Sequence, residues 1–125
     1  MVLRMAFVSL LIVVLGLASG APAHAATKRA TDREAGVRFT LVDKALTVRI
    51  LASAPRRIRR EIKGSRLRVA CQRYTPARSV SDTRRWPRAR LRLRFRFERN
   101  ISRAAAWCLL EHRRGGDIAF ASFQR

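Results

Sequence analysis

Few side chains in this chain have the chemistry for acid–base catalysis. Past residue 25 the one histidine is His112; it follows Glu111, and Glu98 stands further back. A glutamate–histidine–arginine set would suit a small secreted nuclease working by general acid–base transfer. Two carboxylates flanking one bond are the minimum for a glycosidase. The spacing opposes both. Neighbouring residues on a strand point to opposite faces, so Glu111 and His112 do not form a ready pair. Glu98 and Glu111 would meet only if their strands paired. No serine elbow, phosphate-cradling glycine loop or metal-ligand spacing is present. The expectation is a non-catalytic protein with no catalytic residue, no cofactor and no metal, a small secreted nuclease or glycosidase being the least favoured alternative.

Cys71 and Cys108 are the two cysteines, 37 positions apart. An even count in an exported chain reads as one disulfide with a single connectivity. Closing a loop of that length stabilises a small fold by about 4 kcal/mol in the chain-entropy model. A zinc site would need more ligands than His112 supplies.

The remaining chemistry is cationic. The formal net charge is +20, and arginine outnumbers lysine 25 to 3. In residues 88–99 (RARLRLRFRFER), Arg88, Arg90, Arg92, Arg94 and Arg96 alternate with Ala89, Leu91, Leu93, Phe95 and Phe97. This period of two predicts a strand with one guanidinium face and one apolar face. Arg38, Arg49, Arg66 and Arg68 take outward positions in other expected strands. Guanidinium forks match phosphate and carboxylate geometry. Arg88, Arg90, Arg92, Arg94, Arg96, Arg66 and Arg68 are therefore the candidate polyanion-binding residues. The partner class is an envelope polymer, a nucleic acid or an anionic lipid surface. Stacking aromatics are scarce, which argues against base-specific recognition. A solvated, soluble arginine face is the competing explanation.

The elements that must position these residues follow from periodicity. Residues 36–42 and 45–50 alternate apolar and polar around Asp43–Lys44, as a hairpin would. Residues 53–64 (SAPRRIRREIKG) predict one helix, capped by Ser53 and ended by Gly64, with Ile58 and Ile62 inward. Residues 66–72 return to a strand with Cys71 inward. Residues 73–87, with two prolines, read as a long loop carrying Tyr74 and Trp86, the docking surface if the protein is instead an interaction or structural module of the cell envelope. Residues 104–112 read as a strand placing Cys108 with Ala106 and Leu110, and residues 113–117 as a turn.

The N-terminus reads as a transport signal. Arg4 precedes a thirteen-residue apolar run, 6–18, and then Ala23-His24-Ala25. The run is short of the roughly 20 residues of a membrane-crossing helix, so cleavage after Ala25 is preferred to an anchor. Removal of Arg4 with the leader leaves +19 on 100 residues. The expected organisation is a signal peptide over 1–25, a mobile lead-in over 26–35 and one domain over 36–125. The expected fold is mainly β: a small antiparallel sandwich or barrel of about six strands, with one short helix and one disulfide. The expected location is secreted, periplasmic or extracellular. The arginine and alanine bias fits a GC-rich bacterial genome. The two cysteines with Trp86 invite comparison with immunoglobulin domains, but Ala106 replaces the tyrosine two residues before the second cysteine, and no family follows.

Overall fold

A computed structural model describes residues 27–73 and 78–123. The expected leader (1–25), residue 26 and the 74–77 part of the expected loop lie outside the described residues. Among the described residues, eight strands form two antiparallel four-stranded sheets. The strands are β1 (Thr27–Asp32), β2 (Val37–Val42), β3 (Ala45–Ile50), β4 (Arg66–Arg73), β5 (Arg78–Arg85), β6 (Arg92–Arg96), β7 (Ala105–His112) and β8 (Asp117–Ser122). The first sheet runs β1-β2-β3-β6 and the second β5-β4-β7-β8. Among the described residues one short helix, α1 (Arg56–Ile62), carries the chain between them.

The core fills the space between the sheets. Phe39, Leu41, Leu46, Val48, Leu93 and Phe95 come from the first sheet, and Leu67, Val69, Cys71, Cys108 and Leu110 from the second; all are buried. These are the inward positions of strands that alternate cleanly. Ile58 and Ile62 bury the apolar side of α1. Its N-cap is Pro55 rather than Ser53, and no side chain caps it. The Arg59 guanidinium reaches back past the helix start and donates to the carbonyl oxygens of Leu51, Ala52 and Ala54, so this arginine is structural.

The disulfide joins Cys71 to Cys108, with Cα atoms 4.1 Å apart. The two residues are direct register partners on β4 and β7. The bridge therefore pins two neighbouring strands of one sheet, unlike the inter-sheet bridge of immunoglobulin domains. It fits an oxidising compartment. Among the described residues, no helix is long and apolar enough to cross a membrane.

Two segments expected to lack regular structure are strands. Residues 27–32 of the expected lead-in form β1, paired residue for residue with β2. Residues 78–85 of the expected loop form β5, paired along β4. Both are edge strands, and both place charges at inward-phase positions. On β1, the Lys28 ammonium donates to the carbonyl oxygens of Arg103 and Ala105, at 3.1 and 3.2 Å. Asp32 accepts from the Phe120 backbone N–H at 2.9 Å and from Ala35 at 3.0 Å. On β5, Asp82 accepts from the Arg96 backbone N–H at 3.0 Å, and Arg84 donates to the Arg94 carbonyl at 2.6 Å. Side chains thus fasten each open edge of the sandwich to the opposite sheet and occupy backbone groups that would otherwise template another strand. The turn between β1 and β2 is held by Gly36, whose φ is +66°; a Cβ there would overlap the Ala54 backbone.

The long arginine strand is shorter than expected. Residues 88–91 form a turn, and β6 begins at Arg92. Trp86 explains the break. It is fully buried, and its indole N–H donates to the Arg90 carbonyl at 2.8 Å. A buried indole needs such an acceptor. The Arg90 N–H in turn bonds the Pro87 carbonyl, at 3.1 Å. Ala89 and Leu91 consequently face solvent rather than the core. Pairing with β3 resumes where the Ile50 N–H meets the Leu91 carbonyl.

Candidate polyanion interface

Register places one group of arginines on the outer face of the first sheet. Arg38 on β2 lies opposite Arg49 on β3, which lies opposite Arg92 on β6. The next outward row is Arg29, Thr40, Thr47 and Arg94, and the one after it ends on Arg96. Strands lie about 4.8 Å apart, and same-face residues along a strand about 6.8 Å apart. Like charges at those spacings repel by about 0.6–0.9 kcal/mol per pair in water, before salt screening. The outward positions paired across this sheet hold arginine, threonine, alanine and valine, and no carboxylate. Arg38 donates to the neighbouring Thr31 hydroxyl, at 3.4 Å. At the end of the row a shallow pocket of about 500 Å³ is lined by Arg49, Arg90, Leu91 and Arg92.

The sequence-derived candidates thus divide. Arg92, Arg94 and Arg96 stand together on β6, and Arg38 and Arg49 join them. Arg90 lies in the turn but lines the same pocket. Arg88 is elsewhere, its side chain packed over Gly64. Arg66 and Arg68 are on β4, in the other sheet. They do not extend the arginine face, because β4 never neighbours β6. Arg68 is moreover tied to Glu111 by a 2.8 Å ion pair. Arg29 belongs to this face although its strand falls in the expected lead-in; Thr27, Arg29 and Thr31 at a period of two are the sequence signal for it.

The carboxylates considered for catalysis are not brought together by paired strands. Glu98 follows β6 in the first sheet, beside Ser79, Val80 and Ser81. Glu111 sits on β7 in the second and is engaged by Arg68. Among the described residues, no group of three histidine, cysteine, aspartate or glutamate side chains could hold a metal ion. The expected docking loop is also altered, since residues 78–85 of it are β5.

Comparison with protein-family models, with curated proteins and with solved structures gives no match.

Proposed function

We propose that this protein is an exported, non-catalytic domain that holds a linear polyanion against the outer face of its first sheet. The carrying observation is the in-register row Arg38–Arg49–Arg92, flanked by Arg29, Arg94 and Arg96, with no carboxylate among the paired outward positions. A polyanion laid over this face would relieve the mutual repulsion of the arginines and release its own counterions, the usual source of affinity in such contacts. The extended rows of guanidinium groups and the lack of aromatic platforms among the paired outward positions favour contact with backbone charges over reading of a sequence. Export through a cleaved leader, into a bacterial envelope or the medium, agrees with the disulfide and with the leader-like residues 1–25.

The test is retention on immobilised heparin. The protein is expected to elute late, and Arg38→Ser/Arg49→Ser/Arg92→Ser much earlier. Arg66→Ser/Arg68→Ser/Arg78→Ser, which removes an equal number of charges from the second sheet, should shift elution less. Equal shifts from the two variants would reject the assignment to the first sheet.

A further inference from the structure

A second cationic site lies at the end of the second sheet, separate from the arginine face. It is a cleft of about 610 Å³ lined by Ser65, Arg66, Arg85, His112, Arg113 and Arg114, with Gly115 at its rim. The lining comes from three strands and a turn. Arg66 opens β4 and Arg85 closes β5, and the two are direct register partners. His112 ends β7, and Arg113 and Arg114 form the turn toward β8.

The backbone fixes this arrangement. The Arg113 N–H donates to the Arg66 carbonyl at 3.2 Å, which seats the turn against β4. The His112 N–H bonds the Gly116 carbonyl at 3.0 Å, and the Gly115 N–H bonds the His112 carbonyl at 2.9 Å. Gly115 and Gly116 have φ of +102° and +106°, a conformation that suits glycine alone. Arg85 is anchored through one nitrogen to the Gly64 carbonyl at 3.0 Å, so it does not splay away from its neighbour Arg66. Like charges directly opposite on paired strands are destabilising, and nothing in the lining neutralises them. No carboxylate lines the cleft. Glu111, next to His112 in the chain, is committed to Arg68.

We infer that this cleft binds a phosphate group, either as free phosphate or as a phosphomonoester. Four guanidinium groups, an imidazole and a hydroxyl supply more donors than a carboxylate can accept, whereas a terminal phosphate offers three strongly accepting oxygens and up to two charges. The site is a cleft and suits a discrete group; the first sheet presents its arginines in extended cross-strand rows and suits a chain. The inference does not depend on the polyanion reading.

The test uses the disulfide-bonded protein and follows backbone amide and His112 ring resonances by NMR. Inorganic phosphate and glycerol 3-phosphate are titrated separately at constant ionic strength. Saturable one-to-one shifts are expected at the His112 ring and the Arg113 and Gly115 amides. Tighter binding of glycerol 3-phosphate identifies an organic phosphomonoester, and tighter binding of the inorganic ion identifies free phosphate; either outcome upholds the site. Arg85→Ser/Arg114→Ser should weaken binding at least tenfold, and Arg49→Ser/Arg92→Ser should leave it unchanged. Arg114→Ser alone, in the exposed turn, keeps the test decisive if loss of the Arg85 anchor unfolds the protein; it should weaken binding severalfold. Shifts that never saturate, or equal weakening by the Arg49/Arg92 variant, would overturn the site while leaving the heparin result standing.

Discussion

The outer faces of the two sheets start from similar sequence and end in different chemistry. β6 reads RLRFR and β4 begins RLRV, so both offer alternating arginines. On the first sheet the cross-strand neighbours of those arginines are Arg49, Thr47 and Ala45, and charge accumulates. On the second, Arg68 lies between Thr83 and Glu111 and is neutralised. Further along the same face stand the rings of Trp107 and Phe120, 5.6 Å apart. The difference teaches that an alternating arginine pattern acquires meaning only through the strands that register beside it. The number of arginines on one strand says little about the surface it helps to make.

The comparison can be strained first at its covalent pin. Only the second sheet carries a disulfide, and replacing both cysteines by alanine should cost about 4 kcal/mol of stability. Heparin affinity of the folded protein should not change, because the first sheet keeps its register. Chemical denaturation checks the first statement and a binding titration the second; a fall in the affinity of folded protein would mean that the arginine rows depend on the second sheet. Next in size is the row itself. Arg38→Ser/Arg49→Ser/Arg92→Ser should weaken duplex DNA binding by roughly 30- to 100-fold at moderate salt, following the loss of three charge contacts. Its thermal stability should rise slightly or stay level, since the arginines repel.

The staples come next. Asp32→Ala removes two backbone-accepting bonds at the β1 edge and should cost about 2 kcal/mol in denaturant titrations. It should also raise the tendency to self-associate, as measured by light scattering, because the edge is uncovered. Smallest of all is Arg68→Ala. Its ion pair with Glu111 is partly exposed, 46% and 18% for the two side chains. Such pairs contribute about 0–1 kcal/mol, so both stability and heparin retention should change little.

Much of this fold was legible in the sequence. The disulfide followed from an even cysteine count behind an export signal, and the hairpin around Asp43, the inward cysteines and the two isoleucines of the helix from period and spacing. So did the placement of Leu93, Phe95 and Phe97 inside. The two strands that the pattern hides share one cause. β1 and β5 have Lys28, Asp32, Asp82 and Arg84 at inward-phase positions, where an apolar side chain would mark a strand. Those charges act on the backbone of the facing sheet, so the pattern that hides the strands is the device that closes the sandwich. The arginine run failed at its start for a different reason. Its period continued through residues 88–91, but Trp86 needed a carbonyl acceptor, and tertiary demand overrode local alternation. The split of the arginines between two sheets could not be read at all, since strand order is not written in any single strand. The cleft at the end of the second sheet was likewise invisible, because its lining comes from segments separated in the chain.

The most direct test of the central claim is the salt dependence of polyanion binding. Affinity for duplex DNA should fall linearly with the logarithm of salt concentration, with a slope of about −5 if Arg29, Arg38, Arg49, Arg92, Arg94 and Arg96 all engage phosphates. The Arg38/Arg49/Arg92 serine variant should roughly halve that slope. A wild-type slope near zero, or a slope the variant leaves untouched, would contradict the account.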